Sequence, residues 1–201
     1  MKPTVVSIFK DGLFKNNPVF VQILGICSTL AVTNVLQNTI VMCAGLIFAT
    51  AFSSMTISAM RNLIPSRVRM MVETLIMAVF VIIIDIVLKA YQPDISRQLG
   101  PYVGLIITNC ILMGRIEAFG LSNPPHLAFV DGFTAGLGYS YVLMTIAFIR
   151  ELLGSGTIWG INVLGKGWTN WSLMVMAGGA FFVLAVFIWI IKGLVLKEEK
   201  K

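Results

Sequence analysis

Pro101-Tyr-Val-Gly-Leu-Ile-Ile-Thr-Asn-Cys110 lies in the middle of the chain, and Pro18-Val-Phe-Val-Gln-Ile-Leu-Gly-Ile-Cys27 lies near its start. In each, a proline is followed nine residues later by a cysteine, within a run too apolar for an ordinary loop. Thiols carried at equal depth in two hydrophobic segments suggest a buried soft-ligand site. They also suit plain packing, because free cysteine is among the most buried side chains.

The surrounding composition sets the medium. The chain has 201 residues, 57% of them hydrophobic and 12% charged, with a mean hydropathy of +0.89. A soluble domain is about 25% charged, and a core of this size cannot hide so much apolar surface, so the chain reads as an integral membrane protein. Residues 1–17 do not read as a cleavable signal: Lys2, Lys10, Asp11 and Lys15 interrupt the apolar residues and no small-residue cleavage site follows. Ile8, Phe9, Leu13 and Phe14 fit either a cytoplasmic lead-in lying on the membrane surface or a solvated tail. The net charge of +6 comes from cations between apolar segments, without a basic stripe carrying aromatics, so nucleic acid is excluded as a partner. Cys27, Cys43 and Cys110 form neither a CxxC motif nor a disulfide framework.

Six apolar segments follow, at about 18–36, 39–60, 70–91, 101–119, 127–149 and 172–196. Each approaches the ~20 residues that a spanning helix needs, and none alternates as a barrel strand would. With six spans both termini share a side. That side carries Lys2, Lys10, Lys15, Arg61, Arg67, Arg69, Arg115, Lys192, Lys197, Lys200 and Lys201, against Lys89, Arg97, Arg150 and Lys166 on the other. Eleven cations against four place both termini in the cytoplasm. The expected fold is therefore all-α, a single transmembrane domain over 1–201. Its repeats, about 18–91 and 101–196, hold three spans each and so are inverted. Gly25, Thr108, Asn109 and Gly114 suit either interruption of the first and fourth helices or close helix packing.

Depth ties the two cysteines together. Each lies nine residues into a segment, about 13 Å from its own face of a core about 30 Å thick, and the two segments enter from opposite faces. Both thiols then fall at the midplane, whereas Cys43 lies near the non-cytoplasmic face and reads as packing. Two thiolates are half of what a [2Fe–2S] cluster needs and too few for a structural zinc. His126, the only histidine, reads as a loop residue near the membrane surface. The thiols therefore form a disulfide, or pack idly, or share a site with a second polypeptide.

Several motifs carry a family resemblance: Leu24-Gly-Ile-Cys-Ser-Thr-Leu-Ala-Val32, Arg61-Asn-Leu-Ile-Pro-Ser-Arg-Val-Arg69, Asp85-Ile-Val-Leu-Lys-Ala-Tyr91, Val103-Gly-Leu-Ile-Ile-Thr-Asn-Cys-Ile-Leu-Met-Gly-Arg115 and Phe148-Ile-Arg-Glu-Leu-Leu-Gly-Ser-Gly156. Over residues 15 to 195 the chain resembles the D subunits of sodium-translocating NADH:quinone oxidoreductases, which are homologous to the E subunits of Rnf-type ferredoxin:NAD oxidoreductases. The motifs around Cys27 and Cys110 look more like the quinone-reducing enzymes. The resemblance implies a bacterial inner-membrane protein of a six-subunit complex, paired with a homologous, inverted E subunit. Each of the pair would give two cysteines, here Cys27 and Cys110, as iron ligands to one shared intramembrane [2Fe–2S] cluster that relays single electrons. Flavins, NADH and quinone would then bind on other subunits, and this chain alone would hold no complete active site.

Carboxylates within apolar segments are functional candidates in their own right. Glu73 fits a pair with Arg69, Asp85 an i,i+4 pair with Lys89, and Glu117 an interfacial position near Arg115. Asp85 and Asp131 match positions associated in the family with sodium ion handling, and carboxylate oxygen suits that hard cation. Two further readings compete: a secondary transporter or ion-conducting protein, favoured by inverted repeats and buried acids, and a structural anchor within a larger assembly.

Overall fold

A computed structural model of the chain describes residue 19 and residues 24–65, 67–91, 93–158, 161–162 and 176–199. Helices dominate these: α1 Ile26–Val32, α2 Leu36–Met60, α3 Arg69–Tyr91, α4 Pro93–Ile107, α5 Cys110–Arg115, a π-helical turn Ile116–Gly120, α6 Pro125–Ser155 and α7 Ala177–Glu199. Two-residue strands Thr157–Ile158 and Ile161–Asn162 pair antiparallel beyond α6. Leu36–Met60, Arg69–Tyr91, Tyr102–Gly120 and Pro125–Gly154 are each long and apolar enough to cross a membrane, and Gly178–Gly193 is a shorter apolar helix.

A helix that is apolar all round needs a core or lipid around it, and the bundle uses both. α2 and α6 form the centre, with Leu46, Ile57, Tyr139, Leu143 and Ile146 fully buried. Gly132 and Gly136, one turn apart on α6, let the backbones meet. A methyl group at Gly132 would lie 2.8 Å from the Thr50 carbonyl oxygen, and one at Gly136 would lie 3.1 Å from Ile47 Cα. This is small-residue packing of the kind that joins membrane helices without a hydrophobic driving force. By contrast α3 exposes Met70, Met71, Leu75, Val79, Ile82 and Ile86, a surface matched to acyl chains or to another membrane subunit.

The segments and the helices differ where polar residues intervene. The fourth segment is one helix only in outline: α4 stops at Ile107, Thr108 and Asn109 leave the helix, and α5 restarts at Cys110. Asn109 caps the restart, its side-chain oxygen accepting from the Ile111 N–H at 3.1 Å. In the first segment the described helix runs only from Ile26 to Val32, after which Thr33–Val35 turn the chain into α2. The helix of the fifth segment, α6, extends past 149 to Ser155. Arg150, counted above among the cations outside the spans, and Glu151 are both buried: Arg150 Nη1 donates to Thr33 Oγ1 at 2.5 Å, and Glu151 Oε2 accepts from the Leu36 N–H at 2.7 Å. The lead-in 1–17 and the Pro18 end of the first segment lie outside the described residues.

Candidate functional site: a cysteine pair at two helix breaks

Both cysteines sit where a helix begins. Cys27 is the second residue of α1 and Cys110 the first of α5. α1 is preceded by Gly25 at φ 80° and ψ 18°, a left-handed conformation that side chains resist. A methyl group there would also lie 2.6 Å from Ile111 Cδ1 and 2.8 Å from Tyr139 Cε2. The turn brings the Gly25 N–H to Cys110 Sγ at 3.3 Å. Cys27, two residues after Gly25, is thereby a neighbour of Cys110 across the turn. Both thiols are free; Cys27 is exposed and Cys110 partly so. Among the described residues no group of three or more His, Cys, Asp or Glu gathers anywhere. Cys43 is buried elsewhere, its sulfur 4.0 Å from the Ser140 carbonyl.

A polar layer lies behind the pair. The fully buried Tyr139 hydroxyl donates to the Gly25 carbonyl at 3.1 Å and shares a short hydrogen bond with Ser28 Oγ. Asn109 Nδ2 donates to Ser28 Oγ at 3.1 Å. Thr29 Oγ1 donates to the Gly25 carbonyl at 2.8 Å, and Thr33 Oγ1 to the Thr29 carbonyl at 2.5 Å. The sequence reading missed Tyr139 and Ser28. A tyrosine and a serine in apolar runs give no sign that each satisfies the other across the bundle.

The carboxylates are each held by a cation. Asp131 is buried and held by two bonds from Arg115, Nε to Oδ2 at 3.1 Å and Nη2 to Oδ1. Arg115 therefore pairs with Asp131, and Glu117 pairs instead with Arg69, which also lies 3.8 Å from the buried Glu73. The reason is helical: side chains two residues apart face different sides. Asp85 Oδ2 accepts from Lys89 Nζ at 2.5 Å as the i,i+4 spacing suggested. Asp85 lines a narrow apolar cleft with Val41, Met42 and Gly45, whereas Gly132, next to Asp131, packs on Thr50 and Ala51. The two acids thus lie against different stretches of α2. His126 is exposed in the first turn of α6.

Comparison with known proteins adds independent evidence. Residues 5–188 match the family described as Rnf-Nqr subunit, membrane protein. The chain is 47% identical over 196 residues to a protein of Pseudomonas paraeruginosa, covering 95% of this chain and 88% of the relative. It is 48% identical over 197 residues to one of Photobacterium profundum, covering 96% and 92%, and 46% identical over 191 residues to one of Pseudoalteromonas translucida, covering 92% and 91%. All three relatives are named as the D subunit of a Na(+)-translocating NADH-quinone reductase. With interrupted apolar helices and a match over most of its length, the chain belongs to the Rnf-Nqr subunit family of membrane proteins.

Proposed function

We propose that this chain is the D subunit of a sodium-translocating NADH:quinone oxidoreductase. In this reading Cys27 and Cys110 supply two of the four ligands of a [2Fe–2S] cluster, and a homologous inverted subunit supplies the other two. The observation that carries it is the approach of two free thiols, 83 residues apart in sequence, at two helix breaks joined by the Gly25 N–H to Cys110 Sγ. N–H donors stabilise thiolate, the form that binds iron. The exposure of Cys27 leaves one side of the pair open to a partner chain. The relatives' names favour the quinone-reducing enzyme over the Rnf-type complex.

When bound, the cluster supplies a one-electron redox couple. The work of this chain is to bind it through two sulfurs, orient those sulfurs by the turns at Gly25 and Asn109, and exclude water with the apolar bundle around them. The excess of Lys and Arg on one side of the expected spans supports cytoplasmic termini in a bacterial inner membrane, with the two half-helices belonging to inverted repeats. Flavins, NADH and quinone belong in this account to other subunits of a six-subunit complex. Asp131 and Asp85 remain the proposed sodium path, and a sodium ion at Asp131 requires the Arg115 pair to open first.

Iron and acid-labile sulfide, measured in the complex co-purified from cells carrying Cys27→Ser or Cys110→Ser, test the assignment. Both variants are expected to lose iron and sulfide together. Full content in both would overturn it.

A further inference from the structure

The two thiols account for binding, but the polar layer behind them contains no ligand and is buried throughout: Ser28, Asn109 and Tyr139 are each 0% exposed. Its bonds converge on one residue. The Gly25 carbonyl accepts from Tyr139 OH at 3.1 Å and from Thr29 Oγ1 at 2.8 Å, and the Ser28 hydroxyl, 3.2 Å from the same oxygen, gives its one proton to the Tyr139 oxygen, while the N–H of Gly25 donates to Cys110 Sγ. Glycine does not hold a left-handed conformation by itself, because it populates both signs of φ about equally. Something outside Gly25 has to hold it. The bond from Thr29 moves with α1 and cannot fix α1 against the second cysteine. Tyr139 is on α6, and Asn109 immediately precedes Cys110, so the Tyr139–Ser28–Asn109 chain ties one break to the other through a third helix.

We propose that Tyr139 is a positioning residue for the cysteine pair, holding the Gly25 carbonyl and, through the φ and ψ of that residue, keeping its N–H aimed at Cys110 Sγ. The inference rests on the cluster reading above and extends it. Hydrogen bonds to cluster sulfurs withdraw electron density and are one of the levers that set reduction potential. Tyr139 thus acts on the redox couple through Gly25 without touching iron or sulfur. Tyr139→Phe keeps the ring that fills the space against Gly25 and removes only the hydroxyl.

The test is an EPR-monitored redox titration of the purified complex, with iron and sulfide assayed on the same samples, for wild type, Tyr139→Phe and Ser28→Ala. Both variants are expected to keep the wild-type iron content, while their midpoint potential moves negative and their g-values shift. Wild-type potential and line shape at full iron content in both would overturn the positioning role and leave the cluster reading intact. Loss of iron in both would make the network a folding element and also overturn it. A wild-type complex with no cluster signal would instead end the cluster reading, and this inference with it.

Discussion

The Gly25 N–H meets Cys110 Sγ at 3.3 Å, joining the turn before the first half-helix to the first residue of the second. The contact exists because position 25 has no side chain. Gly25→Ala would put a methyl group 2.6 Å from Ile111 Cδ1 and hold φ at +80° against it. The expected cost is about 1–2 kcal/mol for the left-handed backbone and about 1–3 kcal/mol for overpacking. Thermal unfolding of the detergent-solubilised complex should show a clearly lower midpoint; an unchanged midpoint would mean that the turn is not as tight as described.

The α2–α6 contact predicts opposite signs at different glycines. Gly132→Ala pushes against the Thr50 carbonyl at 2.8 Å and should destabilise the bundle by about 1–3 kcal/mol. Gly193, on α7, has nothing within 4 Å of a new methyl group, and Gly193→Ala should be neutral or stabilise by up to about 1 kcal/mol. The same thermal assay compares them.

Arg115 and Asp131 form a bidentate pair with little exposure on either side, 13% and 2%. Removing one partner strands a buried charge, so Asp131→Leu alone should cost about 3–5 kcal/mol, while the double replacement with Arg115→Leu should recover most of it. Sodium uptake in proteoliposomes of the complex separates the two roles of Asp131. Recovery of transport in the double variant would assign Asp131 to structure. Continued loss with stability restored would keep it on the sodium path.

Much of this arrangement was legible in the sequence, and the limits have physical causes. Apolar runs of spanning length and the scarcity of charge announced membrane helices, and Thr108 and Asn109, which suited either a break or close packing, are where the fourth segment breaks. Counting residues to Cys27 and Cys110 placed them at one depth, and the structure ties the turn two residues before Cys27 to the Cys110 sulfur. Partners across the bundle were not legible. Arg115 passes over Glu117, two residues away, for Asp131 beyond a turn, and the hydroxyl of Tyr139 finds its partners on α1, more than a hundred residues earlier. Arg150 was placed outside the spans because charge is normally solvated; here backbone and hydroxyl groups near the α1–α2 turn take in Arg150 and Glu151.

Cys43 supplies the contrast to the pair. It is buried, its sulfur beside the Ser140 carbonyl. Cys43→Ala should cost about 1 kcal/mol of packing, the transfer energy of a small buried group. Iron and sulfide content should stay at the wild-type level; a drop in iron at normal yield would bring Cys43 into the site.

The central claim is that this chain is half of a cluster site, and low-temperature EPR of the purified complex tests it most directly. With Cys27 and Cys110 replaced one at a time by serine, the account predicts that the [2Fe–2S] signal is lost or changed in line shape in each variant. An unaltered signal in both would contradict it.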